Sequence, residues 1–185
     1  MSHGFELEGA VKAPEIPAEG ILGGINRLLQ GLNTAIMFLS SIALLAASLI
    51  LCSSVFLRYF LKIPTDWQDE ASVFLLVGAT FLCGAYVQSQ RGHIGIEALA
   101  AILPDGVNRA RLIFCDFAST LFCTFFSWKS WTLFHEALVD GQTTSSSWAP
   151  PLWIPYGMMS AGMTLLSLQL LLQLLAAFAA KEPRP

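Results

Sequence analysis

Charge is scarce in this chain. Lys, Arg, Asp and Glu make up 12% of its 185 residues against an apolar share of 55%, and none of them occurs in Leu28 to Leu57, Ala71 to Gln90 or Gly141 to Ala180. A soluble domain coats its surface with about a quarter charged residues, so this composition excludes an ordinary globular enzyme. Cysteine is sparse too: Cys52, Cys83, Cys115 and Cys123 sit inside apolar stretches at no metal-ligand spacing. They read as small packing residues, not disulfides or a zinc site. The three histidines, His3, His93 and His135, are too scattered for two to clamp one haem. No basic stripe interleaved with aromatics offers a nucleic-acid surface, and the net charge is -3. No nucleophile and base pair, metal cluster or glycine-rich phosphate loop emerges, so no catalytic, solute or metal site and no cofactor is expected. The first twenty residues hold Pro14, Pro17 and four Glu but neither the basic start nor the short apolar segment of a cleavable signal peptide.

What is present is length without charge. The run Ala71 to Gln90 lies between Trp67-Gln68-Asp69-Glu70 and Gln90-Arg91-Gly92-His93. At 1.5 Å per residue, its twenty residues reach about 30 Å, the thickness of a bilayer's hydrocarbon core. Four such spans fit the chain, at about 34–57, 71–90, 112–134 and 153–178. The expected fold is an all-α membrane protein with four transmembrane helices and cytoplasmic interfacial helical segments. Its organisation is a flexible tail (1–19), an amphipathic interfacial helix (20–33), a four-span domain (34–180) and a short C-terminal tail (181–185). The stripe Ile21, Leu22, Ile25, Leu28, Leu29 and Leu32 lies opposite Asn26, Gln30 and Asn33. It fits a helix lying in the headgroup layer that turns near Asn33, or one long helix passing straight on. Ile96, Leu99, Ile102 and Leu103 form a second short stripe, an interfacial arm broken by Pro104-Asp105-Gly106. The last loop, Gly141 to Ser147, reads as polar and flexible, with Pro150, Pro151 and Pro155 setting the start of the fourth span.

Orientation follows from the basic residues. With four spans, Lys12, Arg27, Arg91, Arg109, Arg111, Lys181 and Arg184 share one side, and only Arg58 and Lys62 take the other. Basic residues stay where the chain is not translocated, which places both termini in the cytoplasm. All five tryptophans (Trp67, Trp128, Trp131, Trp148, Trp153) then map to the outer edge, at headgroup level or against another protein. Lys129 falls among them, free to snorkel outward. Asp116, five residues past Arg111, would sit about 7 Å inside the cytoplasmic edge, paired with a nearby arginine or touching a partner.

Several motifs in order carry a resemblance. Arg58-Tyr59, Trp67-x-x-Glu70, Gly84 in an apolar span, Arg91-Gly92-His93-Ile94-x-Ile96-Glu97, Leu103-Pro104, then Gly141 and Pro151-x-Trp153-x-Pro155 run from about Asn33 to Leu175. This order resembles the small membrane subunit of tripartite ATP-independent periplasmic (TRAP) transporters. Gln68-Asp69-Glu70 stands where the family often has paired Glu, and Glu97 where Asp is common, with the carboxylate kept in both.

The resemblance implies a bacterial inner-membrane, sodium-coupled importer of a small organic acid, built with a large membrane subunit and a periplasmic solute-binding protein. This subunit would brace the large one among membrane lipids, with no solute site of its own. On that view Trp67, Asp69 and Glu70 shape the outer hairpin against the large subunit, where Arg58 would pair with Glu70, His93 and Glu97 position the inner arm, and Arg91 is a further interface or structural candidate. Two other readings stay open: a scaffold subunit of another complex, and a small self-contained exporter, for which Asp116 is the one candidate relay.

Overall fold

The computed structural model describes residues 21–90 and 105–179. The arm expected near Ile96 to Leu103 and both tails lie outside these residues. Four helices account for nearly all of the rest: α1 (Ile21–Phe56), α2 (Asp66–Ser89), α3 (Asp105–Val139) and α4 (Trp153–Ala179). Among the described residues there is no strand, only an isolated bridge between Thr143 and Pro151.

α1 runs unbroken through Asn33 and passes into a π-helical turn, Leu57–Leu61. Lys62 then takes a left-handed conformation (φ 53°) and ends it. Ile63 precedes Pro64, which disfavours helix, and α2 begins two residues later. The resulting hairpin is tight. The α3–α4 connection is folded as well, not the flexible linker its serines and threonines suggested. Gly141 turns the chain (φ 61°), Thr144 N–H donates to the Pro150 carbonyl at 3.1 Å, and Leu152 N–H donates to that of Gln142 at 2.9 Å. Together the two bonds close the loop.

The helices form an open layer in the spatial order α1, α2, α4, α3. α2 packs between α1 and α4, while α3 packs on α4. Among the described residues α1 and α4 touch only slightly. The α1 seam is built on a seven-residue repeat: Asn33, Ser40, Ala47 and Ser54 are all buried. Small side chains at this spacing let two helices approach closely when lipid supplies no hydrophobic drive between them. The buried residues of α2 are Gln68, Ser72, Gly78, Ala79, Ala85 and Gln88. On the other flank of α2, a Cβ at Gly162 of α4 would collide with the Phe81 backbone, and one at Gly78 would come within 2.6 Å of Met158 Sδ.

Exposure does not follow polarity as it would in a soluble protein. Leu28 is 76% exposed whereas Asn33 is 1% exposed, and Leu29 of the same stripe is buried, so the stripe before the first span is split between the outer face and the seam. Among the described residues three segments are long and apolar enough to cross a membrane: Gly24–Leu61, Asp66–Ser89 and Trp153–Ala176. α3 is long enough, about 52 Å over its 35 residues. It is less apolar, because Asp116, Lys129 and Glu136 interrupt it.

Candidate functional site

The α1–α2 hairpin gathers four of the expected residues, Arg58, Trp67, Asp69 and Glu70. Ser54 on α1 and Arg58, about a turn further on in the π-helical turn, face Thr65 and Asp69. Ser54 Oγ donates to Asp69 Oδ1 at 2.8 Å and lies 2.8 Å from Thr65 Oγ1. Arg58 Nη2 donates to Thr65 Oγ1 at 2.8 Å and pairs with Asp69 Oδ2. Thr65 also starts α2, its carbonyl accepting from the N–H groups of Gln68 and Asp69. Its side chain makes no N-cap bond, because the hydroxyl is engaged across the hairpin.

The arginine's partner is therefore Asp69, not the expected Glu70. Successive helical residues point about 100° apart, so Asp69 meets α1 and Glu70 turns toward the α4 flank. There Glu70 lines a groove of about 410 Å³ with Val73, Phe74, Val77, Leu152 and Pro155, Asp69 and Thr144 completing the rim. Glu70 Oε2 is enclosed and has no hydrogen-bond partner. Trp67 packs edge-on against Trp148 of the second loop (centroids 6.5 Å apart), and Ser147 Oγ donates to Asp66 Oδ2 at 3.2 Å. The two loops are thereby tied together at one end of the layer, the hairpin end.

Two further polar clusters join the helices, and neither stood out in the sequence. At the opposite end, Gln88 Nε2 donates to Gln173 Oε1 at 2.8 Å, and Gln173 Nε2 donates back to the Gln88 carbonyl at 3.0 Å. Asn33 Nδ2 lies 3.4 Å from Gln169 Oε1. The available signal was Gln169 and Gln173, two amides one turn apart inside a forty-residue uncharged run. Between α3 and α4, Thr164 Oγ1 accepts from Trp131 Nε1 and meets Ser127 Oγ, both at 2.9 Å. Trp131 thus spends its N–H on a neighbouring helix instead of a headgroup. Lys129 Nζ lies 5.2 Å from the Trp128 ring centroid, a cation–π distance.

Asp116 is half-buried on α3. The antiparallel register set by Ser127 with Thr164 and by Phe134 with Gly157 carries it level with the last turns of α4, away from the hairpin end. Arg91, His93 and Glu97 lie outside the described residues. Among the described residues no charged side chain is buried, and no group of three or more His, Cys, Asp or Glu is placed to hold a metal. The four cysteines are free.

Long apolar helices, joined inside by amides and hydroxyls and exposing hydrophobic side chains on their outer faces, define an integral membrane protein. The model of the DctQ component of tripartite ATP-independent periplasmic transporters matches residues 47–180. The chain belongs to that family, a transporter component family and not an enzyme family. The matched segment starts later and ends later than the stretch from Asn33 to Leu175 on which the motifs were read. No match was found among curated proteins or among solved structures.

Proposed function

We propose that the chain is the small permease subunit of a sodium-coupled, binding-protein-dependent importer of a small organic acid. It sits in the bacterial inner membrane with four spans, α3 being the third, and with both termini cytoplasmic. It packs on the large membrane subunit and braces that subunit's scaffold, and the periplasmic binding protein delivers solute to the pair. The observation that carries the reading is the uncharged interior. The buried polar side chains between the described helices are Asn, Gln, Ser and Thr. Some pair across helices, as Asn33 with Gln169 and Gln88 with Gln173, and others bond their own helix backbone, as Ser72, Thr120, Ser130, Ser160 and Ser167 do, so that among the described residues no buried charge is placed to hold an anion or relay a proton. An open layer of helices suits a wall better than a carrier, because a carrier needs a central site between two moving halves.

Coexpression with the large subunit tests this. The two should copurify, and sodium-driven uptake in proteoliposomes should require both together with the binding protein. Uptake by the large subunit and binding protein at full rate without this chain would refute the bracing role.

A further inference from the structure

α2 has one face that no other described residue covers. Asp66, Val73, Thr80 and Val87 recur every seventh residue and are exposed, with Glu70, Val77 and Gly84 beside them. α1 and α4 occupy the other flanks. Two features of this face have no explanation inside the subunit. The first is Glu70, whose enclosed Oε2 lacks a donor; the nearby guanidinium of Arg58 is engaged by Thr65 and Asp69 on the other flank. A carboxylate oxygen shielded from water and left unpaired is costly, and a cation beside it removes that cost. The second is Gly84. A Cβ there would meet only Leu166 Cδ2, at an ordinary 4.0 Å, whereas Gly162 is forced by the Phe81 backbone. Internal packing leaves room for a side chain at position 84.

We propose that this face of α2 seats one transmembrane helix of the large membrane subunit, which sets a lysine or arginine against Glu70 in the groove and packs closely over Gly84. The proposal rests on the reading of the chain as a small TRAP subunit and adds to it the face and the chemistry of the contact. From Glu70 to Val87 the face is about 26 Å long, close to a full membrane crossing. Its Val, Thr and Gly residues suit helix-on-helix contact, which gains from small side chains, whereas fluid acyl chains need no such relief. The carboxylate at one end fixes the register of the incoming helix.

The test is photocrosslinking in membranes containing both membrane subunits. Benzoylphenylalanine replaces Val73, Thr80 or Val87 on α2 and, as comparison, Leu45 or Leu49 on α1 and Phe122 on α3, all of them exposed residues. The α2 positions should give an adduct with the large subunit severalfold more abundant than the other positions. Glu70→Lys should lower the copurified large subunit at least about tenfold, as expected when a charge is stranded at an interface, and reversal of the facing basic residue should restore it. Adducts from α1 or α3 with α2 silent would overturn the proposal while leaving the transporter reading intact. Adducts of α2 with lipid alone would also overturn it. Absence of any complex would remove both.

Discussion

Asp69 and Glu70 are neighbours in sequence with opposite circumstances. Asp69 accepts from Ser54 and Arg58, whereas Glu70 holds an enclosed oxygen with no donor. Removing the first therefore strips the buried Ser54 hydroxyl and the Arg58 guanidinium of an acceptor, and removing the second relieves an uncompensated burial. Asp69→Ala should lower the melting temperature of the isolated, detergent-purified subunit by a few degrees, corresponding to roughly 1–2 kcal/mol. Glu70→Ala should leave it unchanged or raise it. Thermal unfolding followed by intrinsic tryptophan fluorescence reads both, and the opposite ranking would show that the hairpin cluster is misassigned. The exposed ion pair itself contributes little, under about 1 kcal/mol; Arg58 matters through its bond to the buried Thr65 hydroxyl.

The helices of the layer are held by close approach at some places and by amide pairs at others, and these differ in cost. Gly162 lies against the Phe81 backbone, which cannot give way. Gly162→Leu should part α2 from α4 and abolish the folded yield, while Gly31→Ala, with nothing within 4 Å, should be neutral or slightly stabilising by helix propensity. The Gln88 and Gln173 pair is less demanding. Gln173→Leu should cost only about 0.6–1.7 kcal/mol, the range for buried hydrogen bonds between membrane helices, measured as a shift in the denaturant midpoint.

At this scale the helices themselves were legible in the sequence, because runs such as Ala71 to Gln90 have only one inexpensive solution in a bilayer. Their faces were not. Hydrophobicity marks the inside of a soluble helix, but along α1 Leu28 is exposed and Leu29 buried, and nothing in the pattern paired Asn33 with Gln169. The Arg58 partner was missed for a related reason. One residue of register decides between Asp69 and Glu70, and that register is set by the π-helical turn and the left-handed Lys62, which neither spacing nor composition discloses.

For the whole molecule, the layer order α1, α2, α4, α3 leaves the outer helices exposed on more than one side. Its polar links tie helix to helix without enclosing a charged chamber, and the family match supplies the transporter context. If both termini face the cytoplasm, a single cysteine placed at Lys62 in a cysteine-free background should react with an impermeant maleimide in intact cells, and one near Arg184 should react only after permeabilisation. The most direct test of the central claim is solute uptake by this subunit reconstituted alone, beside the same liposomes containing the large subunit and supplied with the binding protein. The account predicts no sodium-driven uptake above empty liposomes for the subunit alone and restored uptake for the assembly. Saturable uptake by the subunit alone would contradict it.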